Sequence, residues 1–210
     1  MEEYSNLHHK GIFDEVKAPP DVLSMRGGWC LLRRSVLLEV TRKKVRAVAK
    51  GFTDVWGEDY WHTYSPTLGW DMLFSCLAYA ASHDLEIHQL DAIVAYLNSN
   101  LMEEIYLCPL DGIPTTPGMV WCLKKALYGL KQAGLEWYQT LHGHIQSIRY
   151  TQSGHDPCLY MLDSETFVII YVDNLMVFAQ RRTWCKQNQN LPGSLKCAIW
   201  VKHTGFWKWK

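Results

Sequence analysis

The stretch Phe167-Val168-Ile169-Ile170-Tyr171-Val172, Asp173-Asn174, Leu175-Met176-Val177-Phe178-Ala179 leaves this 210-residue chain the fewest options. Two runs rich in β-branched and aromatic residues, separated by two polar ones, predict a β-hairpin with its turn at Asp173-Asn174, because Asn tolerates the positive φ of a tight turn. Both arms are too apolar for a surface ribbon, so the tip must carry Asp173 out of a buried scaffold. Taken alone, Asp173 reads equally well as a turn-former.

A second carboxylate changes the meaning of the first. Leu85 to Asp91 begins with polar–apolar alternation and predicts a strand that ends at Asp91, before the apolar Ala92 to Leu97. Two acids carried on neighbouring buried strands can hold Mg²⁺ ions about 4 Å apart, which clamp the attacking and leaving oxygens of a phosphoryl transfer. That is the constellation of a polymerase palm.

Elsewhere the pattern is coarser. Leu73, Leu77, Ala78 and Ala81 recur at spacings of three and four and predict a helix over 70–82, with Asp71 near its positive end. Leu135, Tyr138, Leu141 and Ile145 predict a second helix over about 134–148. Val120 to Leu123 predicts a strand, as does Lys43 to Lys50, where Lys44 and Arg46 alternate with Val45 and Ala47. Residues 111–118 predict a loop, and residues 1–28, broken by Pro19-Pro20 and Gly27-Gly28, an irregular N-terminal segment.

With 48% hydrophobic residues and ten Trp, the chain can bury a sizeable core, which excludes a disordered tail or a collagen-like polymer. Its longest apolar runs fall well short of the roughly 20 residues that cross a bilayer. The polar start Met-Glu-Glu-Tyr-Ser-Asn shows no secretory signal. An intracellular protein, cytoplasmic or nuclear, without membrane contact is therefore expected. Seven cysteines without a C-x-x-C pair predict reduced thiols rather than a zinc site, and His142-Gly-His144 and His155 to Cys158 read as surface or satisfied core groups.

The balance of 21 basic and 21 acidic residues conceals segregation. Residues 1–50 sum to +4, residues 51–123 contain no Lys or Arg and sum to −10, and residues 124–210 sum to +6. Such a layout suits a chain that grips a polyanion at its flanks and holds cations at its centre. It also suits plain solvated faces.

The ordered series of motifs resembles the reverse transcriptase domain of copia-type long-terminal-repeat retrotransposons. The matching segments are KVRAVAKGF from Lys44, YSP from Tyr64, LAYAASHDLEIHQLD ending at Asp91, AYLN from Ala95, EEIY from Glu103, LKKALYGLKQA from Leu123, Trp137-Tyr138, Asp156-Pro157-Cys158 and Tyr171-Val172-Asp173. They span about residues 29–179. The resemblance implies an α+β polymerase palm-and-fingers fold, an antiparallel sheet with helices packed on one face. It implies a palm and fingers domain over 29–179, flanked by irregular segments at 1–28 and 180–210 with no readable thumb. It also implies an RNA-directed DNA polymerase that needs Mg²⁺, an RNA or DNA template with a primer, and deoxynucleotide triphosphates.

Carried over residue by residue, Asp91 and Asp173 match the metal-binding catalytic aspartates, and Asn174 stands where the family's hairpin has a second Asp. Tyr96 matches the aromatic gate under the incoming sugar. Lys44, Arg46 and Lys50 match the fingers strand that meets phosphates, Gln132 the glutamine of the nucleotide pocket, and Lys124 and Lys125 residues along the duplex backbone. Any of these is also compatible with a plain structural role, a core aromatic or a solvated strand face. Gly134 replaces a usual Pro, Ile93 a usual Lys, and Gly69-Trp70 an Arg-containing stretch. With Asn174, the formal charge of the carboxylate set falls from −3 to −2 and little turnover is expected, so a non-catalytic nucleic-acid-binding remnant or pseudogene product is the alternative.

Overall fold

The computed structural model describes residues 2–20, 24–36, 39–53, 55, 57, 60–92 and 94–180, with the backbone alone at 2, 3, 6, 32–36, 39–44 and 53. Ile93, the 181–210 tail and the Lys44 side chain therefore lie outside the described part. Two compact units emerge, one drawn from Met1–Tyr64 and Tyr96–Thr140, the other from Ser65–Ala95 and Leu141–Lys210.

In the first unit, helix α1 (Glu2–His9) leads into strand β1 (Phe13–Lys17). Strands β2 (Gly27–Val36) and β3 (Glu39–Ala49) form an antiparallel hairpin. Strand β5 (Asn100–Leu107) and strand β6 (Met119–Lys125) pair antiparallel, and β1 adds to the other edge of β6. The N-terminal segment is thus not irregular as expected. Its order comes from aromatic packing: Phe13 stacks on Trp121 at 4.2 Å between centroids, and Tyr4 stacks on the same indole at 5.8 Å. Buried aromatic pairs of this kind add to simple area burial, which offsets the weak local preference of a short polar helix.

The second unit is built on a five-stranded antiparallel sheet of order β4-β10-β9-β8-β7. Its strands are β4 (Glu86–Asp91), β7 (Thr151–Gln152), β8 (Leu159–Met161), β9 (Phe167–Tyr171) and β10 (Asn174–Ala179). Helix α2 (Trp70–Ser82) occupies the range its periodicity predicts. Its Cys76 and Ala80 pack with Leu85, Phe167, Ile169 and Phe178, and the Phe167 and Phe178 rings stack at 4.5 Å. Side chains alternate between the faces of a strand, so Phe167, Ile169 and Phe178 mark one face and Val168, Ile170 and Val177 the other.

Helix α3 (Ala133–Ser147) begins one residue before the expected range. From it, His142 Nδ1 meets the Tyr160 hydroxyl at 2.8 Å, and Tyr160 is the cross-strand partner of Val168. The helices are therefore not confined to one face of this sheet, which corrects that detail of the expected layout: α2 covers the Phe167 face and α3 meets the Val168 face. Burial on both faces is the reason β9 and β10 read as continuous apolar runs. It also pushes the thiols of Cys76 and Cys158 up to about 11 and about 12, with Asp156 adding to both, so they are inert core groups at neutral pH.

Candidate functional site

The hairpin turns one residue earlier than the sequence predicts. Tyr171 pairs with Asn174, so the two turn residues are Val172 and Asp173, and Asn174 already belongs to β10. Val172 takes the positive φ, 56°, although a β-branched residue resists it. Strain of this kind persists where neighbouring structure over-determines the backbone. Here the neighbour is β4: the Ala92 N–H donates to the Asp173 carbonyl at 2.8 Å, just past the point where Asp91 pairs with Asn174.

Asp91 and Asn174 are thus directly opposite one another at the end of the β4–β10 ladder, with Asp173 next in chain. Directly opposed side chains stand on the same sheet face. Gln89, two residues before Asp91, shares that face, and Asp91 and Gln89 are exposed while Leu90 and His88, which alternate with them, are buried. On β10 the same face runs from Asn174 through Met176 to Phe178, which lies under α2. The apolar part of the face is covered and its acidic end is open.

Hydrogen bonds at this end have a defined sense. Gln89 Nε2 donates to Asn174 Oδ1 at 3.2 Å, and Asn174 Nδ2 donates to Asp173 Oδ1 at 3.1 Å. A carboxylate only accepts, so the orientation of the Asn174 amide follows from chemistry. Two carboxylates with open oxygen lone pairs suit a hard divalent cation. The Asn174 carbonyl oxygen faces Gln89 and its N–H faces Asp173, so of these three residues Asp91 and Asp173 are the ones whose chemistry suits a cation. No group of three or more His, Cys, Asp or Glu side chains suited to a metal occurs among the described residues.

The remaining candidates lie in the first unit. Arg46 sits with its guanidinium carbon 4.5 Å from the centroid of Tyr128, and Tyr128 meets Tyr96 edge-on at 5.0 Å. Two residues singled out separately in the sequence, Arg46 and Tyr96, are thus joined through a third that sequence reasoning missed. The signal for Tyr128 was its place in the LKKALYGLKQA segment. Backbone contact holds it there: the Ala49 N–H donates to the Tyr128 carbonyl at 2.7 Å, and Gly129 follows at φ 93°. A β-carbon at Gly129 would overlap the Ala49 carbonyl oxygen, so only glycine allows this approach.

Gln132 is 2% exposed, and its Nε2 donates to Glu103 Oε2 at 2.5 Å. Nearby Glu136 is buried, and that burial, reinforced by Glu103, raises its carboxyl above the ordinary range. Glu103 and Glu136 had no role in the sequence reading. Lys50 is exposed, Lys124 is paired with Asp14 at 2.5 Å on the surface, and Lys125 is half-buried. No helix among the described residues is long and apolar enough to cross a membrane.

Comparison with known proteins agrees with these motifs. Residues 10–192 match the family model described as reverse transcriptase (RNA-dependent DNA polymerase). The chain is 33% identical over 184 residues to the retrovirus-related Pol polyprotein from transposon TNT 1-94 of Nicotiana tabacum, which covers 84% of this chain and 14% of that protein. It is 31% and 30% identical to the Pol polyproteins from transposons RE1 and RE2 of Arabidopsis thaliana, each over 79% of this chain and 12% of the relative. The chain therefore spans a small part of the polyproteins it matches. On its ordered motifs and on these matches, it belongs to the reverse transcriptase family, as a domain of the copia-type retrotransposon group.

Proposed function

We propose that this domain adds deoxynucleotides to the 3′ end of a primer on an RNA or DNA template, in a palm-and-fingers arrangement. The observation that carries the reading is that Asp91 pairs with Asn174 at the end of the β4–β10 ladder, with Asp173 next in chain and its carbonyl held by the Ala92 N–H. Carboxylates at an open sheet end repel phosphate unless a cation lies between, so the arrangement serves charge neutralisation and not simple nucleic-acid binding.

Asp91 and Asp173 would hold Mg²⁺, which when bound neutralises charge on the phosphoryl oxygens and orients the attacking and leaving groups. Tyr96, braced edge-on by Tyr128, closes the space under the sugar and excludes a 2′-hydroxyl. Arg46, held over Tyr128, and Lys44 and Lys50 offer cationic groups to triphosphate or template phosphates. Lys124 and Lys125 act along the duplex backbone. Gln132 belongs to the nucleotide pocket, with one N–H of its amide already given to Glu103.

Asn174 weakens this machinery by removing one carboxylate, so turnover is expected to be low. Primer extension on an RNA template tests the reading, comparing the natural chain, Asn174→Asp and Asn174→Asp with Asp91→Asn. The restored carboxylate is expected to raise incorporation by two to three orders of magnitude, roughly the effect of one charge-stabilising group, and Asp91→Asn to abolish it. A folded Asn174→Asp chain without incorporation would overturn the assignment. A binding-only remnant is the less favoured reading, since such a role has no use for paired carboxylates.

A further inference from the structure

We infer that Gln89 is a positioning residue that locks Asn174 away from the cation, so that the relay Gln89→Asn174→Asp173 takes the place that a third metal-facing oxygen, beside those of Asp91 and Asp173, would fill. The inference rests on the proposed metal-binding reading of Asp91 and Asp173 and goes further, because it assigns a role to a residue outside the acidic pair.

The sense of the two hydrogen bonds carries it. Asn174 Nδ2 donates to Asp173 Oδ1 and Asn174 Oδ1 accepts from Gln89 Nε2. An asparagine in place of an aspartate still has a carbonyl oxygen that can bind a divalent ion. In this chain that oxygen is turned to the Gln89 N–H, and it is the amide nitrogen that faces Asp173, where it occupies one acceptor position of the carboxylate. Gln89 reaches Asn174 because it lies diagonally across the β4–β10 ladder, where Met176 is its direct partner and Asp91 is the partner of Asn174. The Asp173 carboxylate only accepts, which sets the Asn174 amide, and the Gln89 amide can turn its own N–H to the oxygen that then faces it. A residue at 89 that can only accept should reverse the Asn174 amide. Glutamate there only accepts. It would take the Asn174 N–H and turn the carbonyl oxygen toward Asp173, an arrangement of facing oxygens that a cation between them stabilises.

The experiment is calorimetric titration of Mn²⁺ into the full chain and its variants Gln89→Glu, Asn174→Ala, Gln89→Glu with Asn174→Ala, and Asn174→Asp, with melting curves to confirm folding. Gln89→Glu is expected to tighten Mn²⁺ several-fold more in the Asn174 chain than in the Asn174→Ala background, where there is no amide to turn. Equal tightening in both backgrounds would show a through-space charge effect and overturn the relay while leaving the metal site standing. Failure of folded Asn174→Asp to bind Mn²⁺ at all would overturn the metal-site reading itself, and this inference with it. A second readout needs no metal: the side-chain amide resonances of Asn174 should shift in Gln89→Ala, and unchanged resonances contradict the relay.

Discussion

Val172 stands in the left-handed region at φ 56°, where a β-branched side chain crowds its own backbone. Replacement by glycine removes that crowding at some cost in chain entropy, and a net gain of about 1 kcal/mol in unfolding free energy is expected by denaturant titration. The residues of the candidate site are legible in order: Asp91 closes an alternating run and Asp173 follows an apolar one. What composition could not show was which residue would turn. Asn174 has the better turn chemistry, yet pairing with Asp91 on one side and Tyr171 on the other draws it into the ladder and leaves the strained angle to Val172. Tertiary pairing outweighs a local preference worth about 1–2 kcal/mol. The Gln89 and Glu103 contacts were illegible for a related reason, since each joins residues far apart in the chain and leaves no periodic trace.

At the scale of elements, the docking of Leu127–Leu130 against the end of β3 depends on one glycine. Gly129→Ala combines a left-handed φ of 93° with overlap of the Ala49 carbonyl. A loss of at least about 1–3 kcal/mol is expected, read as an earlier chemical unfolding midpoint, together with disturbed Tyr128 and Tyr96 ring signals. In the second unit, Phe178 is fully buried and stacked on Phe167 between β10 and α2. Phe178→Ala is expected to cost about 3–5 kcal/mol in the same assay. Elements with a strong period of their own, α2 and the β9–β10 hairpin, were readable from sequence. Helix α1 and strand β1 were not: EEYSNLHH is short and polar, and FDEVK buries only Phe13 fully. Their stability comes from Trp121 and from pairing with β6, partners about a hundred residues away.

For the whole molecule, two buried titratable groups should shape stability against pH in opposite senses. Burial lowers His88 below its ordinary 6.5, although its Glu86 contact opposes this. The unfolded chain therefore takes up a proton first, and stability present above 6.5 is lost as pH falls through the folded value. Glu136 is raised above 4.5, so its contribution is complete below that value and is lost as pH rises through the folded one. Glu136→Gln is accordingly expected to raise the melting temperature at pH 7 by a few degrees, with the gain vanishing near pH 4. His88→Gln should flatten the fall in stability as pH drops below 6.5.

The most direct test of the account is anomalous diffraction from crystals soaked in Mn²⁺, for the natural chain and for Asn174→Asp. A peak bonded to both Asp91 and Asp173, stronger in Asn174→Asp, is the result expected. Full occupancy elsewhere, or a clean map at those two carboxylates in the Asn174→Asp crystals, would contradict it.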